Sequence, residues 1–549
     1  MNRREFLRFV AASSAAVAAG PVAPTLAQSD TAQSKRKAPN IVFILADDLG
    51  YGDVGCLNPQ RGKIPTPNID RLAAAGMTFT EAHSGSAVCS PTRYGVLTGR
   101  YSWRTRLQAG IVGVFGQPLI ASDRKTVGKL LQGGGYHTAC VGKWHLGWDW
   151  PGERKYLLGS ALTAQGKKAK GKTDPKDKPQ DRTALLDEHR EAWKRIFSQP
   201  IAGGPTTRGF DYYFGTDVPN WPPYTFIEND RVQAIPTTML PSRLVGNNQA
   251  SQHGPAAEGW RLEDILPALA DKACAYIARQ AAGDKPFFLY MPLTSPHTPL
   301  AVTDEWKGKS GLGLYADLVM ETDAVVGRVL DALDKHKLAD NTLVIFTSDN
   351  GCAPYIGVPE MEAKGHYPSG PYRGYKSDAW DGGHHVPFFA RWPGVVRPGS
   401  NCSQLVCLTD LLATAGEIAG SSVPADAGED SVSLLPLLRG QDKPVRDCVV
   451  HHSMSGRFAI RQGKWKLIFG PGSGGWSAPN DATAAKQGLP PVQLYDMEAD
   501  VAEKVNLHDK HPQVVQRLTE LMKKVIADGR STPGPAQTND VAVRFRPPG

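Results

Sequence analysis

Two acidic pairs stand at the ends of apolar runs. Asn40 to Ala46 reads NIVFILA and stops at Asp47-Asp48; Thr342 to Thr347 reads TLVIFT and stops at Ser348-Asp349-Asn350. Each run has the composition of a strand buried on both faces. In a parallel sheet the carboxyl ends of the strands share one edge, where ligands bind. Adjacent carboxylates repel, so such a cluster calls for a cation. The carboxylates of Asp47, Asp48 and Asp349 with the amide oxygen of Asn350 make an all-oxygen set, which suits Ca²⁺ or Mg²⁺ rather than zinc. A third feature is Cys89-Ser90-Pro91-Thr92-Arg93, set after the small residues Ser84, Gly85 and Ser86. Three residues separate this Cys from its Arg, where a tyrosine-phosphatase loop requires five.

Cys-x-Pro-x-Arg running on to Leu97-Thr98-Gly99-Arg100 is the sulfatase signature, and the chain resembles the formylglycine-dependent sulfatases of the arylsulfatase and N-acetylgalactosamine-6-sulfatase type, within the alkaline-phosphatase-like superfamily. The resemblance runs from about Asn40 to the C-terminus. It is carried by NIVFILADDLGYGD (40–53), CSPTRYGVLTGR (89–100), GKWHLG (142–147), RGFDYYFG (208–215), PHTPL (296–300), TSDNG (347–351) and GYKSDAWDGGHHVP (374–387), in the family's order. It implies that Cys89 is oxidised to formylglycine, whose hydrated gem-diol is the nucleophile. It implies Ca²⁺ (Mg²⁺ as the lesser choice) on Asp47, Asp48, Asp349 and Asn350, with the modified Cys89 completing the shell. Arg93 and Lys143 match the residues that hold and polarise the formylglycine. His145 matches the histidine that assists release of sulfate. His297 and Lys376, with Lys143, match the groups that contact the substrate, and one of the pair His297/Lys376 helps protonate the leaving alcohol. Asp381 and His385 stand where many members carry Glu and Arg; the His for Arg change removes a fixed fork of donors.

These residues need elements to hold them. Thr66-Pro67 opens a short helix to Gly76, Thr126 to Gln132 reads as a helix, and His137 to Val141 and Pro286 to Pro292 read as strands. Tyr315, Leu318, Val319, Val325, Val326, Val329, Leu330 and Leu333 recur at helical spacing. Strands alternating with helices predict an α/β fold, a large mixed and mostly parallel sheet flanked by helices. After Leu438 the texture changes to short strands at 458–461, 465–469 and 494–497 and a helix, Pro512 to Ile526, using Val515, Leu518, Met522 and Val525. The predicted organisation is a catalytic domain at 38–438 with a surface insertion at 151–202, and a smaller α+β unit at 439–549. The insertion holds a Lys-rich run (Lys167 to Lys178) and a charged helix around 185–197. Trp144 and Trp380 read as core; Trp221, Tyr224 and Phe226 are candidates for a substrate-pocket rim.

The first 27 residues read as an address. Arg3-Arg4-x-Phe6-Leu7, a mild apolar run and Thr25-Leu26-Ala27 resemble a twin-arginine export signal with its cleavage site. The expectation is a periplasmic or secreted bacterial protein that uses the twin-arginine export machinery and meets a formylglycine-generating enzyme before export. No later run is long and apolar enough for a stable membrane span after cleavage. With 62 basic against 54 acidic residues and no dense basic helix, nucleic acid is not an expected partner. Eight cysteines in 549 residues are no disulfide scaffold, and pairing of Cys402 with Cys407 is left open. The expected substrate is a sulfated carbohydrate or aryl sulfate. The alternatives are a phosphate mono- or diester hydrolase on the same fold, which needs a second metal site, and an inactive sulfated-glycan-binding protein carrying an unmodified Cys89.

Overall fold

The computed structural model describes residues 38–157 and 179–545. The twin-arginine pattern and the Lys-rich run lie outside the described residues. The strands used below are β1 (Asn40–Asp47), β2 (Met77–Phe79), β3 (His137–Lys143), β4 (Tyr212–Thr216), β5 (Ile227–Glu228), β6 (Arg231–Val232), β7 (Phe287–Pro296), β8 (Thr342–Ser348), β9 (Phe388–Arg391) and β10 (Ser400–Cys402). They form one sheet in the order β10-β2-β9-β8-β1-β7-β3-β4-β5-β6. The central run β8-β1-β7-β3-β4 is parallel throughout. The flanks at β9 and β5 are antiparallel. The expected large, mixed, mostly parallel sheet is therefore observed.

β1 shows why its sequence is a continuous apolar run. Ile41, Phe43 and Leu45 enter the core on one face, and Val42, Ile44 and Ala46 enter the core on the other. β8 alternates in the same way, Leu343 and Ile345 against Val344 and Phe346. A strand with water on one face would show polar residues at every second position. The long helix spans Leu314–Lys335, and each of its eight predicted apolar positions is buried. Parallel register sets the functional edge: Ala46 pairs with Ser348 and Asp47 with Pro296. On the other side of β7, Lys143 of β3 pairs with Thr216. Gly142 permits this packing. It has φ +144°, and a Cβ there would lie 1.8 Å from the Pro292 carbonyl oxygen.

The C-terminal part is a smaller antiparallel sheet of β11 (Val449–His452), β12 (Phe458–Gln462), β13 (Trp465–Ile468) and β14 (Gln493–Asp496), in that order. The helix Pro512–Ala527 covers it through Val514, Leu518, Met522 and Val525. Val514 takes the buried place expected for Val515, which is only partly covered. The core of this sheet includes Tyr101, Trp103 and Cys407 from the larger body. Cys402 and Cys407 are separate thiols. The helix Pro179–Phe197 differs from a surface insertion at its C-terminal end, where Ala192, Trp193, Ile196 and Phe197 join the main core. Trp193 donates its indole N–H to the Tyr156 carbonyl at 2.7 Å.

A buried ionic link ties the small sheet to the segment that precedes β9. Lys466 of β13 donates to Asp381 Oδ1 at 2.6 Å and lies 2.8 Å from Glu503 Oε1. Glu503 Oε2 accepts the Asp381 backbone N–H at 2.7 Å. Burial, with Asp381 adding repulsion, pushes the Glu503 carboxyl up to about 7 against the pull of Lys466. Replacing Lys466 by Met leaves two acids buried without their ammonium. The expected loss at pH 8 is about 3–5 kcal/mol, read by urea unfolding. The loss shrinks at pH 6, because the native state takes up a proton at Glu503 as pH falls through about 7. An equal loss at both pH values contradicts the link.

Candidate active site

The carboxyl ends of four adjacent parallel strands supply the site. β1 delivers Asp47 and Asp48, β8 delivers Asp349 and Asn350, β7 delivers His297, and β3 delivers Lys143 and His145. All of them are buried. Asp48 and His145 hold positive φ values of 64° and 50°. Non-glycine residues held there are strained, and such strain gathers at functional sites. Cys89 opens the helix Cys89–Thr98, which is buried along its whole length and ends at Gly99 with φ +63°. The helix so fixes Cys89 at the site while Arg93, one turn on, reaches beneath it.

The ionic contacts are short and interlocked. Arg93 donates Nε and Nη2 to Asp349 Oδ2 at 3.1 and 2.8 Å, and Nη1 to the Lys143 carbonyl at 3.1 Å. Lys143 Nζ lies 2.6 Å from Asp47 Oδ2, and Lys376 Nζ 2.6 Å from Asp48 Oδ2. Asn350 donates Nδ2 to Asp48 Oδ1 at 2.7 Å. Burial would raise Asp47, but Lys143, His297, Arg93 and Lys376 hold it well below the usual carboxylate range. Asp349 goes the other way: burial and the neighbouring Asp47 push it well above, despite Arg93. Two buried oxygens, Asp47 Oδ1 and Asn350 Oδ1, make no hydrogen bond. Acceptors without a hydrogen bond beside crowded carboxyl groups, Asp47 Oδ1 having only Arg93 Nη2 at 3.4 Å, fit a hard divalent cation held by Asp47, Asp48, Asp349 and Asn350.

Above this floor lies a cavity of about 160 Å³ whose lining includes Cys89, His145, His297 and Lys376. His145 Nδ1 is 3.3 Å from Cys89 Sγ, and its Nε2 meets the Val112 carbonyl at 3.0 Å. A carbonyl only accepts, so Nε2 carries the proton and Nδ1 offers its lone pair to position 89. Burial, then Lys143, lowers the His145 pKa to about 3. His297 Nδ1 donates to the Thr298 carbonyl, and its Nε2 lies 3.7 Å from Asp48 Oδ2. Burial, then Lys376, lowers His297 to about 4. Lys376 is carried by a loop stitched to both halves of the site. Its N–H donates to the Cys352 carbonyl at 2.9 Å, and that of Ser377 to the Ala87 carbonyl at 2.8 Å.

All ten residues singled out from sequence converge here, with Arg93 and Lys143 in the floor. Of the three rim candidates, Trp221 lines the cavity. Tyr224 and Phe226 do not: Tyr224 is core, and Phe226 packs between Phe214 and Trp260. Aromatic type alone did not separate rim from core, because both environments select it. Trp144 and Trp380 are core as expected. His385 still faces acceptors from both nitrogens, Asp381 Oδ2 at 3.1 Å and the Thr80 carbonyl at 2.8 Å, and stacks on Tyr372. Asp217 was not singled out from sequence. Its Oδ1 accepts the His145 N–H and the Trp148 indole N–H, each at 3.2 Å. Its place one residue past β4, on the shared strand edge, was the available signal.

A mostly parallel α/β sheet with an acid cluster at its strand tips and Cys89 beside them is the arrangement of a hydrolytic class. The chain belongs to the sulfatase family, whose model matches residues 39–421, and is a sulfuric ester hydrolase. It is 32% identical to an N-acetylgalactosamine-6-O-sulfatase of Bacteroides thetaiotaomicron, over 91% of this chain and 95% of that one. It is also 32% identical to human arylsulfatase A, over 91% and 90%. A solved structure from work on the metabolism of multiple glycosaminoglycans by Bacteroides thetaiotaomicron superposes with a TM-score of 0.72 at 32% identity, over 89% of this chain and 99% of that one.

Arg93 and Asp349 should behave as one unit. Arg93→Ala strands a buried carboxyl group and is expected to cost about 3–5 kcal/mol in denaturant unfolding. Arg93→Ala combined with Asp349→Ala should cost clearly less than the sum of the two single changes. Additive losses would show that the pair does not couple.

Proposed function

We propose that the chain hydrolyses the sulfate monoester of a carbohydrate, with Ca²⁺ on Asp47, Asp48, Asp349 and Asn350 and with Cys89 in its formylglycine form. The observation that carries this reading is the single small cavity in which Cys89, His145, His297 and Lys376 meet directly above the acid cluster. The sugar class is supported by the relative named as an N-acetylgalactosamine-6-O-sulfatase.

The side chains divide the work by position. Lys376, held beside Asp48, presents an ammonium to the sulfate oxygens. Arg93 and Lys143 fix Asp349 and Asp47 from below, so the floor does not reorganise as charge develops. His145, neutral with Nδ1 toward position 89, accepts a proton there. His297, anchored through Nδ1, turns Nε2 to the cavity; it gives a proton to the departing alkoxide only as imidazolium, a form that a bound sulfate anion favours against the burial and the Lys376 charge that lower its pKa. The bound cation would add positive charge against the ester oxygens. Formylglycine, as an aldehyde hydrate, would supply one oxygen nucleophile and a second hydroxyl whose deprotonation frees sulfate by C–O cleavage. The proposal includes twin-arginine export to the periplasm or beyond, after a formylglycine-generating enzyme has acted on Cys89.

Three measurements test the reading. In protein made in its own host, the peptide bearing position 89 should be about 18 Da lighter than the cysteine form. A peptide still fully alkylatable at Cys89 overturns it, and so does turnover of an aryl phosphate above that of the aryl sulfate. His297→Ala should lower kcat on sugar sulfates by about 10²–10⁴-fold. The loss should be much smaller on an aryl sulfate, whose phenol leaves without a proton. Equal losses on both would remove His297 from the acid role.

A further inference from the structure

Among the described residues, the only exposed aromatic side chains are Tyr355 and Trp476, at 45% and 48%. Both line the cavity that holds Cys89, His145, His297 and Lys376. They come from distant parts of the chain, the loop after β8 and the loop between β13 and β14, yet their rings lie 5.9 Å apart at an angle of 50°. Two exposed rings in mutual contact at the mouth of a polar cavity form a small contiguous apolar patch of the kind that marks a ligand-binding surface. The geometry points to a sugar platform: Tyr355 and Trp476 stack on the pyranose ring whose sulfate enters the cavity. This rests on the hydrolase reading above and adds what holds the rest of the substrate.

The platform is set in register with the floor. The Trp476 N–H donates to Ser377 Oγ at 2.8 Å and to Asp378 Oδ1 at 3.0 Å, and the Ser477 N–H donates to the same carboxyl at 3.1 Å. Ser377 and Asp378 follow Lys376 directly, so the indole and the sulfate-binding ammonium are carried by one braced segment. Gly475 closes the contact: a Cβ there would fall 2.4 Å from the Ser377 carbonyl. On the other side, the Tyr355 carbonyl accepts from Asn248 Nδ2 at 3.1 Å. Trp221 adds a third wall, its ring edge-on to His145 at 5.2 Å and 83°.

Size and polarity select the occupant. About 160 Å³ is below the ~300–1,000 Å³ of sites that enclose a whole drug-sized ligand. The sulfate and part of one ring fill it, and the remainder lies at the mouth between the aromatics. The two splayed rings offer an apolar surface for the C–H face of a pyranose. Asn220 and Ser251, hydrogen-bonded at 2.7 Å, line the same cavity and provide groups for ring hydroxyls.

The test uses the full chain with Ca²⁺ and a Cys89→Ser change that prevents turnover. Binding of a panel of sulfated hexosamines and of inorganic sulfate is measured by calorimetry, with and without Trp476→Ala, Tyr355→Ala and Trp476→Phe. Trp476→Ala and Tyr355→Ala should each weaken the best sulfated sugar by about tenfold. Binding of inorganic sulfate, which reads the floor alone, should stay within about twofold, and Trp476→Phe should recover most of the loss. Unchanged sugar affinity in both alanine variants overturns the platform. So does a parallel loss of sulfate binding, which would mark a disturbed floor, and so does a Cys89→Ser protein that binds no member of the panel. The hydrolase reading fails separately, if the unsubstituted protein from its own host binds these sugars and releases no sulfate.

Discussion

The molecule is organised around crowding of like charge. Asp47, Asp48 and Asp349 are drawn to one buried sheet edge, where three acids this close are unstable alone. Arg93, Lys143 and Lys376 each reach one of them at 2.6 to 2.8 Å. Each base arrives from a different element: the Cys89 helix, the β3 tip and the loop after β8. Balancing the acids therefore positions the helix that carries Cys89 and the loop that carries Lys376. The same contacts leave Asp47 Oδ1 and Asn350 Oδ1 without hydrogen bonds, so the balance is incomplete in the one place where a cation fits.

A second balance keeps the first in place. Lys376 sits on a segment whose far end, at Asp381, is held by Lys466 and Glu503 of the C-terminal part. The smaller sheet thus reaches the chemistry without supplying a reacting group. It braces the Lys376 loop from behind and carries Trp476 to the cavity mouth in front. Its core closes over Tyr101 and Trp103 of the larger body, so its packing and the site are parts of one structure.

Much of the site was legible because strand-end chemistry is local. An apolar run that stops at Asp-Asp, or at Ser-Asp-Asn, declares both a buried strand and what stands at its tip. The register of parallel strands then brings such tips together without further information. Seven of the ten residues meet for that reason, while Cys89 and Arg93 arrive on a helix and Lys376 on a loop. What sequence could not separate were residues of one type in two environments. Trp221 lines the cavity while Tyr224 and Phe226, a few residues on, are packed away. Val514 is buried where Val515 was expected, since a helix boundary sets which valine faces inward. Asp217 escaped notice because its partners, a backbone N–H and an indole, leave no mark in sequence.

By itself, then, the sequence determined the reaction class. The Cys-x-Pro-x-Arg spacing, the acid pairs and their order are covalent facts, and burial on both faces forces long apolar strands to show themselves. The tertiary structure alone decided how the far end of the chain serves the site. Lys466 meeting Asp381, and Trp476 meeting Tyr355, join residues 85 and 121 positions apart in loops and short strands. Such contacts have no periodicity to read. They depend on how two sheets dock, which is settled by the sum of many small packing energies rather than by any local pattern.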